Sequence, residues 1–506
     1  MAATNLGVCE KCSKRVPVTH ETREGKVYLK LDCPDCGPRE NLISSNAARY
    51  QEKRDLCRYD PATARACSLE CEACKLPHRP RIVFLDLTNR CNLNCPICLA
   101  NVPSMGFLFE PPVSYFERIF RELAQWQPKP RLEFFGGEPT VRKDMFEIVR
   151  AARSHGLPVS VVTNSVALAD EEYCKKVCAE KIDLLLAFDG RDEETYVRMR
   201  GTAKAYHKKL QALDNMLKHS KRRHTVVCTV ARNLNDKVMP DYFQFIHNYR
   251  SIIRRLFFIP LAEMWQGDEY EARDMTTPED CEQILKDAFP GEELEFIPAG
   301  LLGHVQPAYS FFSDSQIRFA GVHPNCESST FLYSDGQRYL PLRTILKAPL
   351  LKLAAEIVDR AAKINPRLAK LDKTKRLQRL RGRLLALRTY GPPILRAMNL
   401  RAITKGKPIR ATLKILGGLL TGQKMSKLTA RHTVLASMVP VTILPFEERH
   451  SVESERLERC SAGFAYIDPD TDQLKTVPFC MWTFFRQDTL RRIAEKPAPE
   501  AQAAAK

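Results

Sequence analysis

Leu85-Asp86-Leu87-Thr88-Asn89-Arg90-Cys91-Asn92-Leu93-Asn94-Cys95-Pro96-Ile97-Cys98 is the stretch from which the fold follows. It opens inside an apolar run of strand character (residues 81–87) and continues into three cysteines spaced Cys-x3-Cys-x2-Cys. Three thiolates hold three corners of a 4Fe-4S cube and leave one iron without a protein ligand, whereas electron-transfer clusters normally take four cysteines. An open iron can bind a substrate. A zinc knuckle or a disulfide would use the same residue type, but a second stretch argues against both. About forty residues on, the apolar run 132–135 leads into Gly136-Gly137-Glu138-Pro139. Successive glycines let backbone approach a ligand too closely for any Cβ, and the carboxylate after them can accept hydrogen bonds from an ammonium group.

Together the cysteine loop and the Gly-Gly-Glu-Pro loop closely resemble the radical S-adenosylmethionine (SAM) enzymes. The resemblance implies that Cys91, Cys95 and Cys98 hold a 4Fe-4S cluster whose open iron takes the amino and carboxylate groups of SAM. One electron from the cluster then cleaves SAM to methionine and a 5′-deoxyadenosyl radical, which removes hydrogen from an unreactive C-H bond. From residue 81 to 340, strands ending near Asp86, Phe135, Thr163, Phe188, Thr229 and Phe258 alternate with helix-like stretches such as 114–125, 143–155, 171–180 and 206–219. Six βα units match the α/β, partial (β/α)6 barrel of the radical family. Ligands of such sheets sit at the carboxyl ends of strands. Gly136, Gly137, Glu138, Pro139, Thr163, Asn164 and Asp189 are therefore the candidate SAM-binding residues, although Thr163-Asn164 and Asp189-Gly190 could also be ordinary turns. No catalytic side chain is identifiable.

At 506 residues the chain is long enough for several domains. No charged segment followed by an apolar stretch opens it, and no run of eighteen apolar residues occurs, so neither a secretory signal nor a membrane span is read. Its 18 cysteines then point to metal in a reducing cytoplasm. Residues 1–55 carry two Cys-x2-Cys knuckles, Cys9/Cys12 and Cys33/Cys36, which suit one mononuclear zinc or iron in a rubredoxin- or zinc-ribbon-like module. Residues 56–80 hold a second triplet, Cys67, Cys71 and Cys74, followed by His78, and read as an auxiliary cluster motif. Cys174, Cys178, Cys228 and Cys281 stand singly in apolar patterns and read as buried small hydrophobes.

The positive charge is concentrated. Between residues 341 and 431 there are 23 Lys and Arg against three acids, so this segment exceeds the formal +18 of the whole chain. Residues 341–440 read as basic amphipathic helices, suited to an anionic membrane surface. Nucleic acid needs the same charge, but Tyr390 is the single aromatic between 341 and 431, which leaves no base-stacking platform and no nucleic-acid partner is expected. Residues 441–490 form a C-terminal auxiliary-cluster region and 491–506 a low-complexity, disordered tail.

In order, the knuckle pair, the triplet with His78, the radical triplet, His323-Pro324-Asn325-Cys326, and Cys460 with Pro478-Phe479-Cys480 resemble the tetraether lipid synthase family. That likeness implies carbon-carbon bond formation between unactivated carbons of acyl or isoprenoid chains. It also implies a second auxiliary cluster on Cys326, Cys460 and Cys480, completed by Cys57, by a non-cysteine side chain, or left open. The partners implied are a lipid substrate, a flavodoxin- or ferredoxin-like electron donor, and a peripheral position at the inner membrane face. Ser165 stands where many radical enzymes have glycine. The alternatives are a radical SAM methyltransferase acting on a pterin and a peptide-modifying radical SAM maturase.

Overall fold

The computed structural model describes residues 4–63, 67–71, 74, 79–100, 102, 105–262 and 275–496; His78 and the tail beyond residue 496 lie outside them. The chain begins with β1 (Leu6–Val8), β2 (Arg15–Arg23), β3 (Lys26–Cys33) and β4 (Gly37–Ser44), an antiparallel sheet in that order. Alternate residues of β3 are buried, as one-sided burial at period two requires. A module this small builds little apolar core, and Cys9 and Cys33 are themselves part of it with Val16, Val18, Leu29 and Leu31. Helix α1 (Ala47–Leu56), capped by the Asn46 side chain on Arg49 N, leads out of the module.

The central part is the alternation expected from sequence: β5 (Ile82–Thr88), α2 (Val113–Leu123), β6 (Arg131–Gly136), α3 (Met145–Ser154), β7 (Val159–Thr163), α4 (Glu171–Ala179), β8 (Asp183–Ala187), α5 (Glu193–Arg200), α6 (Lys204–His219), β9 (His224–Val230), α7 (Met239–His247) and β10 (Ile253–Pro260). Strands β5 to β10 lie side by side in chain order, all parallel. They are buried on both faces, by the outer helices and by the interior of the curved sheet, and so read as continuous apolar runs. Helix α2 shows the outer packing: Phe116, Ile119, Phe120 and Leu123 form one buried stripe, and Phe120 stacks on Phe134 of β6.

The sheet is wider than six strands. After α8 (Pro278–Asp287), β11 (Ile297–Pro298) and α9 (Leu302–Tyr309), β12 (Ser328–Ser334) and β13 (Tyr339–Pro341) form its far edge. The basic segment follows as α10 (Leu350–Leu368), α11 (Arg376–Ala397), α12 (Leu400–Ile403), α13 (Pro408–Leu420) and α14 (Met425–His432). Strand β14 (Met438–Ile443) then inserts parallel to β10 and antiparallel to β12. At the other edge, after the one-turn α15 (Ser454–Leu457), β15 (Ala462–Ile467) joins parallel to β5 and is paired antiparallel by β16 (Leu474–Pro478). The last helix, α16 (Phe479–Glu495), takes up residues 491–495 of the stretch read as disordered. The chain between β14 and β15 returns from the carboxyl end of one edge strand (Leu444 N to Phe258 O, 2.8 Å) to the amino end of the other (Ile82 N to Ser461 O, 3.0 Å), so it passes the open side of the barrel.

Candidate active site

The loop after β5 carries the three thiols, and each neighbouring strand end grips it. Gly137 N donates to Thr88 O (2.7 Å) and Glu138 N to Arg90 O (2.8 Å). A Cβ on Gly136 would lie 2.3 Å from Thr88 O and one on Gly137 2.2 Å from Arg90 O, so backbone of the cysteine loop occupies the space the two glycines leave. The Glu138 carboxylate is buried and fully used: it accepts from Thr140 N (3.0 Å), Thr140 Oγ1 (2.6 Å), Thr163 Oγ1 (2.8 Å) and Asn164 N (2.6 Å). It thereby ties the end of β6 to the end of β7. Asn164 Nδ2 reaches on to Asn92 Oδ1 (2.6 Å) and the Cys91 Sγ (3.8 Å). Ser165 sits at φ 71°, the left-handed region where glycine is at ease, which explains the glycine common at that position.

Asp189, at the end of β8, is fully buried and receives both Arg200 Nε (2.8 Å) and Nη2 (2.6 Å), with Thr229 N at 3.1 Å and Lys209 Nζ at 3.6 Å. Burial works to raise its carboxyl, but Arg200 and Lys209 overcome this and hold it at about 2. The same Arg200 faces the Cys95 thiol. Gly201, at φ 77°, stands so close that a Cβ would lie 2.8 Å from Asn94 O. From the other side, Asp86 of β5 accepts from Trp482 Nε1 (2.9 Å) and from Arg486 Nη2 (2.6 Å), and Arg486 also donates to Ala100 O. Sequence reading missed Arg200, Trp482 and Arg486. A buried carboxylate at a strand end implies a cation, but nothing in the sequence says which of 78 Lys and Arg supplies it.

The donor set fits the cluster expected of it. Cys91, Cys95 and Cys98 are not all within 4.8 Å of one another, in contrast to Cys9, Cys12, Cys33 and Cys36, which are. A single ion with bonds of about 2.3 Å needs the closer set, and three more widely spaced thiols on one loop suit a cluster. Burial pushes the Cys91 thiol up to about 12, so its ionised form requires a cation beside it. In the N-terminal set, the backbone N–H of Cys12 leads in drawing Cys9 down to about 6, the thiolate form a metal needs.

Residues 85–246 match the family model of the radical SAM superfamily. The protein is a radical SAM enzyme. Residues 2–45 match a second model, the HMPTM N-terminal zinc ribbon domain, which agrees with the four clustered cysteines. The enzyme is 25% identical over 514 residues to a 7,8-dihydro-6-hydroxymethylpterin dimethyltransferase of Methanocaldococcus jannaschii, covering 98% of this chain and 96% of that protein. It is 30% identical over 211 residues to an AdoMet-dependent heme synthase of Methanosarcina barkeri (42% and 58% of the two chains). It is 33% identical over 132 residues to a PqqA peptide cyclase of Bradyrhizobium diazoefficiens (26% and 34%).

Within the radical SAM barrel lies a cavity of about 140 Å³. Leu99, next to Cys98, lines it, and so do Cys326, Cys460 and Cys480, three cysteines that are 134 and 20 positions apart in sequence. Most of the wall is apolar: Phe84, Phe135, Phe257, Phe319, Phe446 and Phe479 among others. Its polar part is Glu133, ion-paired to Arg318, together with Glu327, Glu447 and Arg456. Burial raises Glu327 to about 7 and Glu447 to about 8, because Arg456 and the more distant arginines only partly offset the lost hydration. Cys67 and Cys71 pack against the cluster of buried residues that includes Leu69 and Cys480. Cys57 is elsewhere, in an apolar cluster with Ile297, Leu301 and Leu346. Cys174, Cys228 and Cys281 are core residues of the barrel.

Proposed function

We propose that the enzyme activates an unreactive C-H carbon of an acyl or isoprenoid chain whose end enters the barrel cavity, and forms a carbon-carbon bond there. The observation that carries this reading is the wall itself: aromatic and aliphatic side chains run from Leu99 beside the radical loop to the Cys326, Cys460 and Cys480 side. When bound, the cluster and SAM would supply the 5′-deoxyadenosyl radical; joining two C-H carbons removes two hydrogens, which two SAM molecules, each cleaved by one electron, would carry away as 5′-deoxyadenosine. The chain's own residues do the rest. Cys91, Cys95 and Cys98 hold the cluster, and Glu138, saturated by its four donors, holds Thr163 and Asn164 against the cysteine loop. Gly136 and Gly137 let the cysteine loop pack on the end of β6, and Asp189 holds Arg200 beside Cys95, so these residues support the loop against which SAM would lie. The apolar wall excludes water from a radical that water-borne groups would quench. At about 140 Å³ the cavity is well below the roughly 300 Å³ of pockets that take whole drug-sized ligands, which suits a chain terminus.

Delivery of such a chain fits the basic helices. On α13, Ile409 and Leu413 are exposed between Lys407, Arg410 and Lys414, and on α11 Leu377 and Leu380 are exposed beside Arg376, Arg379 and Arg381. Apolar residues flanked by cations suit insertion among anionic headgroups. No helix among the described residues is long and apolar enough to cross a membrane. A flavodoxin- or ferredoxin-like protein would supply the electrons. A second reading, methylation of a pterin, is favoured by the end-to-end similarity to the pterin dimethyltransferase and by the buried carboxylates Glu327 and Glu447, which could pair with the donor edge of the heterocycle. Mass spectrometry of lipid and pterin extracts from cells expressing the wild type or the Cys91→Ala/Cys95→Ala/Cys98→Ala variant separates the two. Coupled or lengthened chains present only with wild type support the lipid reading; unchanged lipids with newly methylated pterins replace it by the second.

A further inference from the structure

Three cysteines line the cavity wall, and no fourth cysteine lines it among the described residues: Cys57 is in a separate apolar cluster, and Cys67 and Cys71, which pack near Cys480, belong to the other triplet. What the wall does supply is an under-satisfied carboxylate. Glu447 is 3% exposed, and neither of its side-chain oxygens has a well-aligned hydrogen bond. The groups that face it are Arg456, ion-paired through Nε at 3.2 Å from Oε1, the backbone N–H of Glu453, and the Glu453 carboxylate. One poorly aligned cation, opposed by a second carboxylate, only partly meets the cost of burying this group, and a metal would complete its surroundings. Its own backbone N–H meanwhile donates to the Cys480 Sγ (3.3 Å), so the residue is anchored at one of the three cysteines. Cys460 and Cys326 lie within electrostatic reach of the same carboxylate.

We propose that Glu447 is the oxygen ligand of a four-iron cluster whose other three irons are held by Cys326, Cys460 and Cys480. Charge supports it. Three thiolates and a carboxylate place four negative charges around a core of charge +2, and the buried Arg456, which faces both Glu447 and Cys326, offsets part of the excess. Of the other carboxylates of the wall, Glu133 is ion-paired to Arg318, and Glu327 is a weaker candidate because it is only partly buried and only its Oε2 is a buried atom without a hydrogen bond. The assignment does not depend on which substrate enters the cavity. Oxygen ligation makes the fourth iron exchangeable and hard, a position where a substrate-derived group could displace the carboxylate while the three thiolates keep the cluster in place.

The test is Mössbauer spectroscopy on full-length protein reconstituted anaerobically with iron-57 and sulfide, without SAM. In a Cys91→Ala/Cys95→Ala/Cys98→Ala background, which removes the open iron of the radical cluster, Glu447→Cys is expected to have one fewer oxygen-ligated iron per chain and one more sulfur-like iron at unchanged iron content. In Glu447→Gln on the same background that iron is expected to be lost on mild oxidation, with a 3Fe-4S paramagnetic signal in its place, while Glu327→Gln behaves as the parent variant. A Cys67→Ala/Cys71→Ala/Cys74→Ala background should keep the oxygen-type iron. Spectra of Glu447→Cys that superimpose on those of the parent variant overturn the proposal. So does loss of the signal in the Cys67 background, or full iron content in Cys326→Ala/Cys460→Ala/Cys480→Ala. Should Glu447→Cys fail to fold, Glu447→Gln still decides the question: a fourth iron that resists mild oxidation as in the parent variant overturns the proposal.

Discussion

Among single residues, the radical cysteines and a buried lysine set the clearest expectations. Replacing Cys91, Cys95 and Cys98 together by alanine removes three of the cluster's protein ligands and should abolish 5′-deoxyadenosine release from SAM under anaerobic reducing conditions, with auxiliary iron retained. Chromatographic detection of deoxyadenosine checks it; continued release would overturn the assignment of the triplet. Lys53 of α1 is completely buried and ion-paired to Glu279 (2.7 Å) and Glu282 (2.9 Å) of α8, with Arg49 also on Glu282. Removing it as Lys53→Met strands the buried Glu279, takes one of two cations from Glu282, and should cost about 3–5 kcal/mol in denaturant unfolding. Burial works to raise Glu282, but Lys53 and Arg49 hold it at about 2, below its ordinary 4.5. A depressed carboxyl contributes its full stability above the ordinary value and loses it as pH falls towards the folded one. Unfolding midpoints should therefore drop between pH 4.5 and 2, and less steeply in Lys53→Met.

For elements, the junction of β5 and β6 is the sensitive place. Their carboxyl ends exchange backbone hydrogen bonds across Thr88, Arg90, Gly137 and Glu138, at a separation that leaves no room for a side chain. Gly137→Ala should separate the cysteine loop from the Glu138 network. We expect iron at the radical site and deoxyadenosine yield to fall together while circular dichroism stays native, because only a loop junction is strained and the barrel core is untouched. Wild-type yield from Gly137→Ala would show that the close approach is dispensable. Strand positions were legible element by element, since runs buried on both faces are apolar throughout: the ends read near Thr163 and Phe188 fall at Thr163 and Ala187. Helix α5, which ends at Gly201 against Asn94, was not legible beside the stretch 206–219 read as helix, because the turn that closes it is required by a contact 107 positions away.

Across the whole molecule, positive charge is concentrated in the helices of residues 341–431, and an anionic surface should find them. Binding to vesicles containing anionic lipid should be measurable by cosedimentation at low salt and fade as the Debye length contracts to about 8 Å near physiological salt. Reversing Lys407, Arg410 and Lys414 at the start of α13, each near headgroups contributing roughly 1 kcal/mol, should weaken it by about a hundredfold at low salt and leave SAM cleavage in detergent unchanged; equal binding of variant and wild type would remove the membrane from the proposal. What the sequence by itself determined was chemistry carried by short spacings: the radical triplet, the ribbon knuckles and the six βα units. Spacing within a loop or a strand is local, so it survives in one dimension. What only the tertiary structure decided was which distant residues meet: β14 and β15 extending the barrel at both edges, Arg200 at Cys95, Arg486 at Asp86, and Glu447 among Cys326, Cys460 and Cys480. Those meetings are made by chain segments up to 400 positions apart, and burial of opposite charges in one core, which no periodicity records, is what pairs them.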